Sequence, residues 1–181
     1  MKSLLMASIV AAMLISAGSV QALPQEGKAG EADLEGVGAI QAVAMANEWR
    51  WSQKGMKNVV TPQDVIFQFS DGKVRNVPLP KEKMLVAIAP YIKETHPCAT
   101  HTFSSCQGEM AGQTFRVKGI DPEGNVLADQ DVTTLKNGFF ELWLPRERKI
   151  VLNVTQGALA AEGEIETFGS SKTCVTTLQL R

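Results

Sequence analysis

Beyond residue 60 the sequence reverses direction about every ten residues, and that rhythm restricts the fold more than any other feature. Ile66 and Gln68 alternate with Phe67 and Phe69, and Asp71-Gly72 supplies a hairpin turn. Val74 to Leu79 returns, with Pro78 confining it to a sheet edge or strand end. Met84 to Ala89 is a short continuous apolar run. Phe115-Arg116-Val117 leads into the turn Asp121-Pro122-Glu123-Gly124-Asn125, and Val126 to Ala128 leaves it. Asn137-Gly138 opens Phe139 to Leu144, which stops at Pro145. Ile150, Leu152 and Val154 alternate with Val151, Asn153 and Thr155, and Ala158 to Phe168 supplies another strand. The last run sets Cys174, Thr176, Leu178 and Leu180 on one face and Val175, Thr177, Gln179 and Arg181 on the other. Roughly seven or eight short strands with no strong helix among them predict a mainly antiparallel β-sandwich.

The stretch before this is different. Residues 23–33, with Pro24, Gly27 and Gly30, read as a loose arm. From Asp33 to Asn47, Leu34, Val37, Ile40, Val43 and Ala44 fall at helical spacing. Gly36 and Gly38 lie inside that span and each weaken a helix by roughly 1 kcal/mol relative to Ala. Trp49 and Trp51, two apart, predict a shared strand face buried in the core or against a second chain. The fold class is therefore α+β: a short N-terminal helical element, a candidate dimerisation region over residues 23–59, followed by the sandwich over 60–181.

Residues 1–22 stand apart from both. Met1-Lys2 is a basic start, and Leu4 to Ala17 is apolar except for Ser8 and Ser16. Val20-Gln21-Ala22 places small or apolar residues where a signal peptidase cuts. The run is shorter than the roughly 20 residues of a spanning helix, so a signal peptide cleaved after Ala22 is the reading rather than an anchor. No later run can span a bilayer, so no membrane association is expected after cleavage. With 18 Lys+Arg against 19 Asp+Glu, the formal net charge is -1 and there is no basic footprint for nucleic acid.

An exported chain with three cysteines, all beyond residue 22, needs an account of the unpaired one. Cys98 and Cys106 lie in the loop Thr95–Glu109, and so do His96 and His101, both histidines of the chain. Thiolate and imidazole together suit Cu(I) and zinc. The seven residues between Cys98 and Cys106 fit a zinc knuckle poorly. Cys98-x-x-His101 is short enough for both side chains to reach one ion, with Cys174 arriving from the last strand. Three thiols and one histidine then make a compact Cu(I) site.

Other readings of the same residues stay open. A Cys98–Cys106 bridge closes a short loop, whereas a bridge from either to Cys174 closes a long one and is worth between roughly 3 and 5 kcal/mol. Either staple leaves one thiol, and the chain would then be a disulfide-stapled module that binds a partner. Thiol–disulfide exchange on exported proteins is the third reading, weakened by the lack of Cys-x-x-Cys. Two thiols closing into a disulfide can also reduce two Cu(II) ions, which couples staple to metal. Ser104-Ser105 beside His101 lacks the elbow and oriented acid of a nucleophilic enzyme. Asn153-Val154-Thr155, the acidic Glu162, Glu164 and Glu166, and the basic Arg146, Arg148 and Lys149 read as strand and surface residues.

The segment Thr95-His96-Pro97-Cys98-x-x-His101-x-x-x-Ser105-Cys106-x-Gly108-Glu109 resembles the CueP family of periplasmic copper-binding proteins. The resemblance continues through Val132-Thr133-Thr134, Asn137-Gly138-Phe139 and Leu142-Trp143-Leu144-Pro145-Arg146. It ends on Thr173-Cys174-x-Thr176-Thr177-Leu178-Gln179-Leu180. It implies a periplasmic protein that stores copper under copper stress and passes it to a periplasmic Cu,Zn superoxide dismutase. It further implies Cu(I) binding through Cys98, Cys106 and Cys174 with His101 as the auxiliary ligand and His96 as the alternative. Cu(II)-reducing activity and a V-shaped homodimer paired through the N-terminal region complete what it implies.

Overall fold

The structure, a computed structural model, describes residues 29–181; the expected signal peptide and the first residues of the arm lie outside them. A single 3-10 turn at Glu31–Leu34 precedes helix α1, Ala39–Ser52. The strands that follow are β1 Lys57–Val60, β2 Asp64–Gln68, β3 Val74–Pro78, β4 Lys83–Ile88, β5 His101–Thr102 and β6 Thr114–Ile120. The last five are β7 Val126–Thr133, β8 Phe140–Pro145, β9 Lys149–Gln156, β10 Leu159–Glu166 and β11 Cys174–Val175. They form three sheets, ordered β3-β2-β1-β5, β10-β9-β6-β7 and β11-β4-β8. All ladders between named strands are antiparallel except that of β11 with β4. The α+β sandwich expected from the sequence is the observed architecture.

The sheet β11-β4-β8 is the middle layer, and side-chain alternation along it separates two cores. Met84, Val86 and Ile88 of β4, with Phe140, Leu142 and Leu144 of β8, face β10-β9-β6-β7 and meet Phe115, Val117, Ile150, Leu152 and Val154. Leu85 and Trp143 face the other way, toward α1 and β3-β2-β1-β5. A strand covered on both faces has no polar side to show, which is why 84–89 is an unbroken apolar run. Beyond Leu85 on that second face, Ala87 and Ala89 open into a third cluster with Cys106, Phe139 and Cys174.

Two local expectations are corrected. The helix runs from Ala39 to Ser52 rather than from Asp33 to Asn47. Gly36 takes a left-handed φ of 71° in the turn before it, and Gly38 is its N-cap, so neither glycine weakens its interior. Trp49 and Trp51 lie in its last turn, not on a strand. Two residues along a helix are about 200° apart, so Trp49 is buried edge-on against Phe67 at 5.5 Å while Trp51 is 57% exposed. Glu48 and Arg50 are good helix formers within the last turns, and Gly55 at φ 80° follows the helix end. Ala39, Ala42 and Ala46 are buried on its inner face, where small side chains let the helix sit close to the sheet.

The C-terminal run also departs from simple alternation. Cys174 belongs to the third cluster, whereas Val175, Leu178 and Leu180 belong to the first core. The β11 ladder ends after Val175, and the chain re-registers through Thr176 before a single parallel bridge, Tyr91 to Gln179.

Glu141 of β8 carries a prediction. It lies in register with Ala87, beneath α1, and its Oε1 accepts a 2.7 Å hydrogen bond from Asn47 Nδ2. Burial raises its carboxyl from the ordinary 4.5 to about 7, and the Asn47 bond only partly opposes this. Between those values the native state holds a proton that the unfolded chain has lost. Its contribution is therefore complete at low pH and fades as pH rises through 7. Glu141→Gln should stabilise the oxidised protein by roughly 1–3 kcal/mol at pH 8 and hardly at all at pH 4. Urea unfolding at the two pH values measures this, and an equal effect at both would contradict it.

Candidate metal centre

The parallel pairing of β11 with β4 places Cys174 beside Ala87. Threonines then stitch the histidine–cysteine loop to this strand. Thr173 N and Cys174 N donate to Ala99 O at 3.0 and 3.2 Å. His101 N donates to Thr173 Oγ1 at 3.0 Å, and that hydroxyl donates to Val60 O at 2.7 Å. Thr95 Oγ1 donates to Thr176 O at 2.6 Å, and Thr176 Oγ1 donates to His96 O at 2.7 Å. Thr173 and Thr176, both buried, therefore fix the backbone on either side of Cys98 relative to Cys174. The residues between are held although they contain little regular structure.

All three cysteines meet. Cys98 and Cys174 are bonded, with their Cα atoms 5.6 Å apart, and Cys106 is a free, buried thiol. Of the two long-loop pairings open from sequence, the structure holds the one through Cys98. Cys106 Sγ lies 3.6 Å from Cys98 Sγ and accepts the Thr102 N–H at 3.3 Å. Cys106 N in turn donates to Thr102 O at 2.9 Å, closing a tight turn that aims the thiol inward.

Both histidines face the sulfurs. His101, at the start of β5, has Nδ1 3.9 Å from Cys174 Sγ, while its buried Nε2 has no partner among the described residues. Its ring packs against Phe139 at 4.6 Å and edge-on against Phe103 at 5.0 Å. Burial first, then the positive charge of Arg50 and the nearby His96, lowers its pKa to about 3. The imidazole is thus neutral at physiological pH, with a lone pair free to bind a metal. His96 is half-buried and nearer the surface, its ring 6.4 Å from Phe139. Two triads of donor atoms lie within 4.8 Å of one another: His96, Cys98 and Cys106, and the fully buried His101, Cys106 and Cys174.

Two supports were missed in the sequence. Arg50, at the end of α1, donates through Nη1 to Phe103 O at 2.8 Å and Cys106 O at 2.5 Å, and through Nη2 to Gln107 Oε1 at 2.7 Å. The helix thereby grips the Cys106 turn from 56 residues away. Gly108 and Gly138 touch backbone to backbone: a Cβ on Gly138 would lie 2.5 Å from Gly108 O, and one on Gly108 would lie 2.7 Å from Gly138 O. Gly108 N donates to Asn137 O at 2.7 Å across the same contact. Gly108 and Asn137-Gly138-Phe139 stand in the quoted family segments, which is the signal that could have found them. Nothing in the sequence distinguishes Arg50 from the other arginines.

Soft donors gathered in one largely buried cluster point to copper handling, and the comparisons agree. A family model described as periplasmic copper-binding protein CueP matches residues 40–179. The chain belongs to the CueP family. The crystal structure of S.CueP superposes with a TM-score of 0.74 at 32% identity, covering 82% of this chain and 93% of that one. No curated protein sequence matches the chain. Membership of CueP makes this a periplasmic copper-binding protein. Among the described residues no helix is long and apolar enough to cross a membrane.

Proposed function

We propose that this CueP protein sequesters copper as Cu(I) through Cys98, Cys106 and Cys174, with His101 as the auxiliary ligand. The observation that carries this is the convergence of three sulfurs and a neutral imidazole from β5, β11, the loop before β5 and the turn after it. Thiolates favour the cuprous state, and no carboxylate is among either triad. The bonded pair supports a reducing step as well. Closing the Cys98 and Cys174 thiols into a disulfide releases two electrons and two protons, and two Cu(II) ions become Cu(I). An external dithiol reductant then reopens the pair.

The family resemblance supports a role as copper donor to a periplasmic Cu,Zn superoxide dismutase. For self-association the support is local: Ile40 and Trp51 leave apolar surface exposed on the outer side of α1. The test of the central reading is a titration of reduced protein with Cu(I) against a competing chelator. Cys→Ser at each of the three positions should weaken binding at least about tenfold, or about 1.4 kcal/mol. Unchanged binding in all three variants would sink the reading, and metal-free turnover of a scrambled disulfide substrate would favour thiol exchange instead.

A further inference from the structure

The two donor triads share one atom, Cys106 Sγ, and differ in depth. His96 and Cys98 are half-buried, while His101, Cys106 and Cys174 are buried. Three donors each about 2.0–2.3 Å from one ion stand about 3.5–4.0 Å apart when they surround it in a plane. The Cys98–Cys106 sulfurs at 3.6 Å and the Cys174–His101 pair at 3.9 Å already lie at that spacing. The remaining donor distances of each triad are within 4.8 Å, so small side-chain shifts close each into a three-coordinate site once the Cys98–Cys174 bond is reduced. Phe139, fully buried, touches both imidazoles and forms an apolar floor between the two positions.

We infer that copper crosses this protein in two stations: capture at the outer triad His96, Cys98 and Cys106, then transfer inward in two exchanges, Cys174 displacing His96 to give the three-sulfur set and His101 then displacing Cys98. Cys106 stays bound throughout. The ion thus need never be released to water, because at each moment two sulfurs hold it while the third donor changes. Ligand exchange through shared donors is faster than full dissociation, since only one bond is broken at a time. Such an arrangement gives a buried, protected store that still loads and unloads through an accessible imidazole. The inner station rests on the function proposed above; the outer one, with His96 as its distinguishing ligand, goes beyond it.

The two histidines should separate rate from affinity. Reduced protein is mixed in a stopped-flow instrument with Cu(I) held by a chromogenic chelator, and the same chelator measures the equilibrium. His96→Ala should slow both loading and unloading about tenfold or more while leaving the equilibrium constant within about threefold. His101→Gln should do the reverse, weakening the equilibrium about tenfold with little change in the early loading rate. His96 lies near the surface, so its variant tests the inference without placing the fold at risk. Unaltered rates in His96→Ala would overturn the two-station path while leaving cysteine-dependent storage intact. A loss of affinity in His96→Ala equal to that in His101→Gln would overturn it too, by showing one site. Absence of Cu(I) uptake by the reduced wild type would instead remove both this inference and the function on which it rests.

Discussion

Reduction of the Cys98–Cys174 bond is expected to raise Cu(I) affinity about a thousandfold or more, close to 4 kcal/mol, while lowering the melting temperature by roughly 10 °C or more. The two effects have one origin. The bond spans 76 residues and ties the histidine–cysteine loop to β11. By the chain-entropy argument such a closure is worth about 4–5 kcal/mol, and each kcal/mol moves the melting point of a domain this size by about 2–4 °C. The same bond removes two of the three thiolates from the site, leaving Cys106 and the imidazoles as donors. Copper should then return much of the stability it requires to be given up. One ion held by donors from the loop and from β11 relinks the same two segments. Ligand at a hundredfold excess over its dissociation constant contributes about 2.7 kcal/mol. Melting curves of oxidised, reduced and reduced Cu(I)-loaded protein, with affinity measured on the first two, give the whole comparison. Equal affinity in both redox states, or no thermal shift on adding Cu(I) to the reduced form, would contradict it.

Gly138→Ala should destabilise the protein by roughly 2–5 kcal/mol and weaken Cu(I) binding with it. Two costs combine at this position. Gly138 has φ 77°, where an L-residue is strained. Its added Cβ would also strike the backbone of Gly108, a neighbour that cannot rotate aside. The displacement would fall on functional residues: Gly108 lies two residues after Cys106, and Phe139 packs on His101. Gly157→Ala is the control, since it has a comparable φ of 58° but nothing near its Cβ. It should cost only about 1–2 kcal/mol and leave copper binding unchanged. Urea unfolding of both variants, with Cu(I) competition on each, distinguishes the contact from the backbone strain. Equal losses in the two variants would show that the Gly108–Gly138 contact is unimportant.

Much of this was legible from residue order because it depends on local chemistry. The strands over 64–68, 74–78, 149–156 and 159–166 follow the alternation and turn residues that predicted them, and 83–88 follows its continuous apolar run. Glu162, Glu164 and Glu166 are exposed as read, because Ala161 and Ile165 at the alternate positions face the core. The cluster of Cys98, His101 and Cys106 was visible because rare residues crowd one loop. Where the sequence misled, a neighbour distant in the chain decided the outcome. Trp49 and Trp51 fit a strand by spacing alone, yet the sheet beneath them has room for a helix whose inner face is alanine. The odd cysteine count left the pairing open, and the three threonine side chains at 95, 173 and 176 are what bring Cys98 against Cys174.

The sequence by itself determined the sandwich, the export-compatible cysteines, the kinship to CueP and the identity of the soft donors. Each is a property of composition, period or motif, carried by neighbours in the chain. Only the tertiary structure decided how those donors are divided: which two sulfurs bond, which thiol lies between two imidazoles, and which histidine is buried and kept neutral. That division depends on the parallel docking of β11, the reach of Arg50 from α1 and the backbone contact of Gly108 with Gly138. These contacts join segments between about 30 and 90 residues apart, and packing geometry at that range leaves no mark in local periodicity.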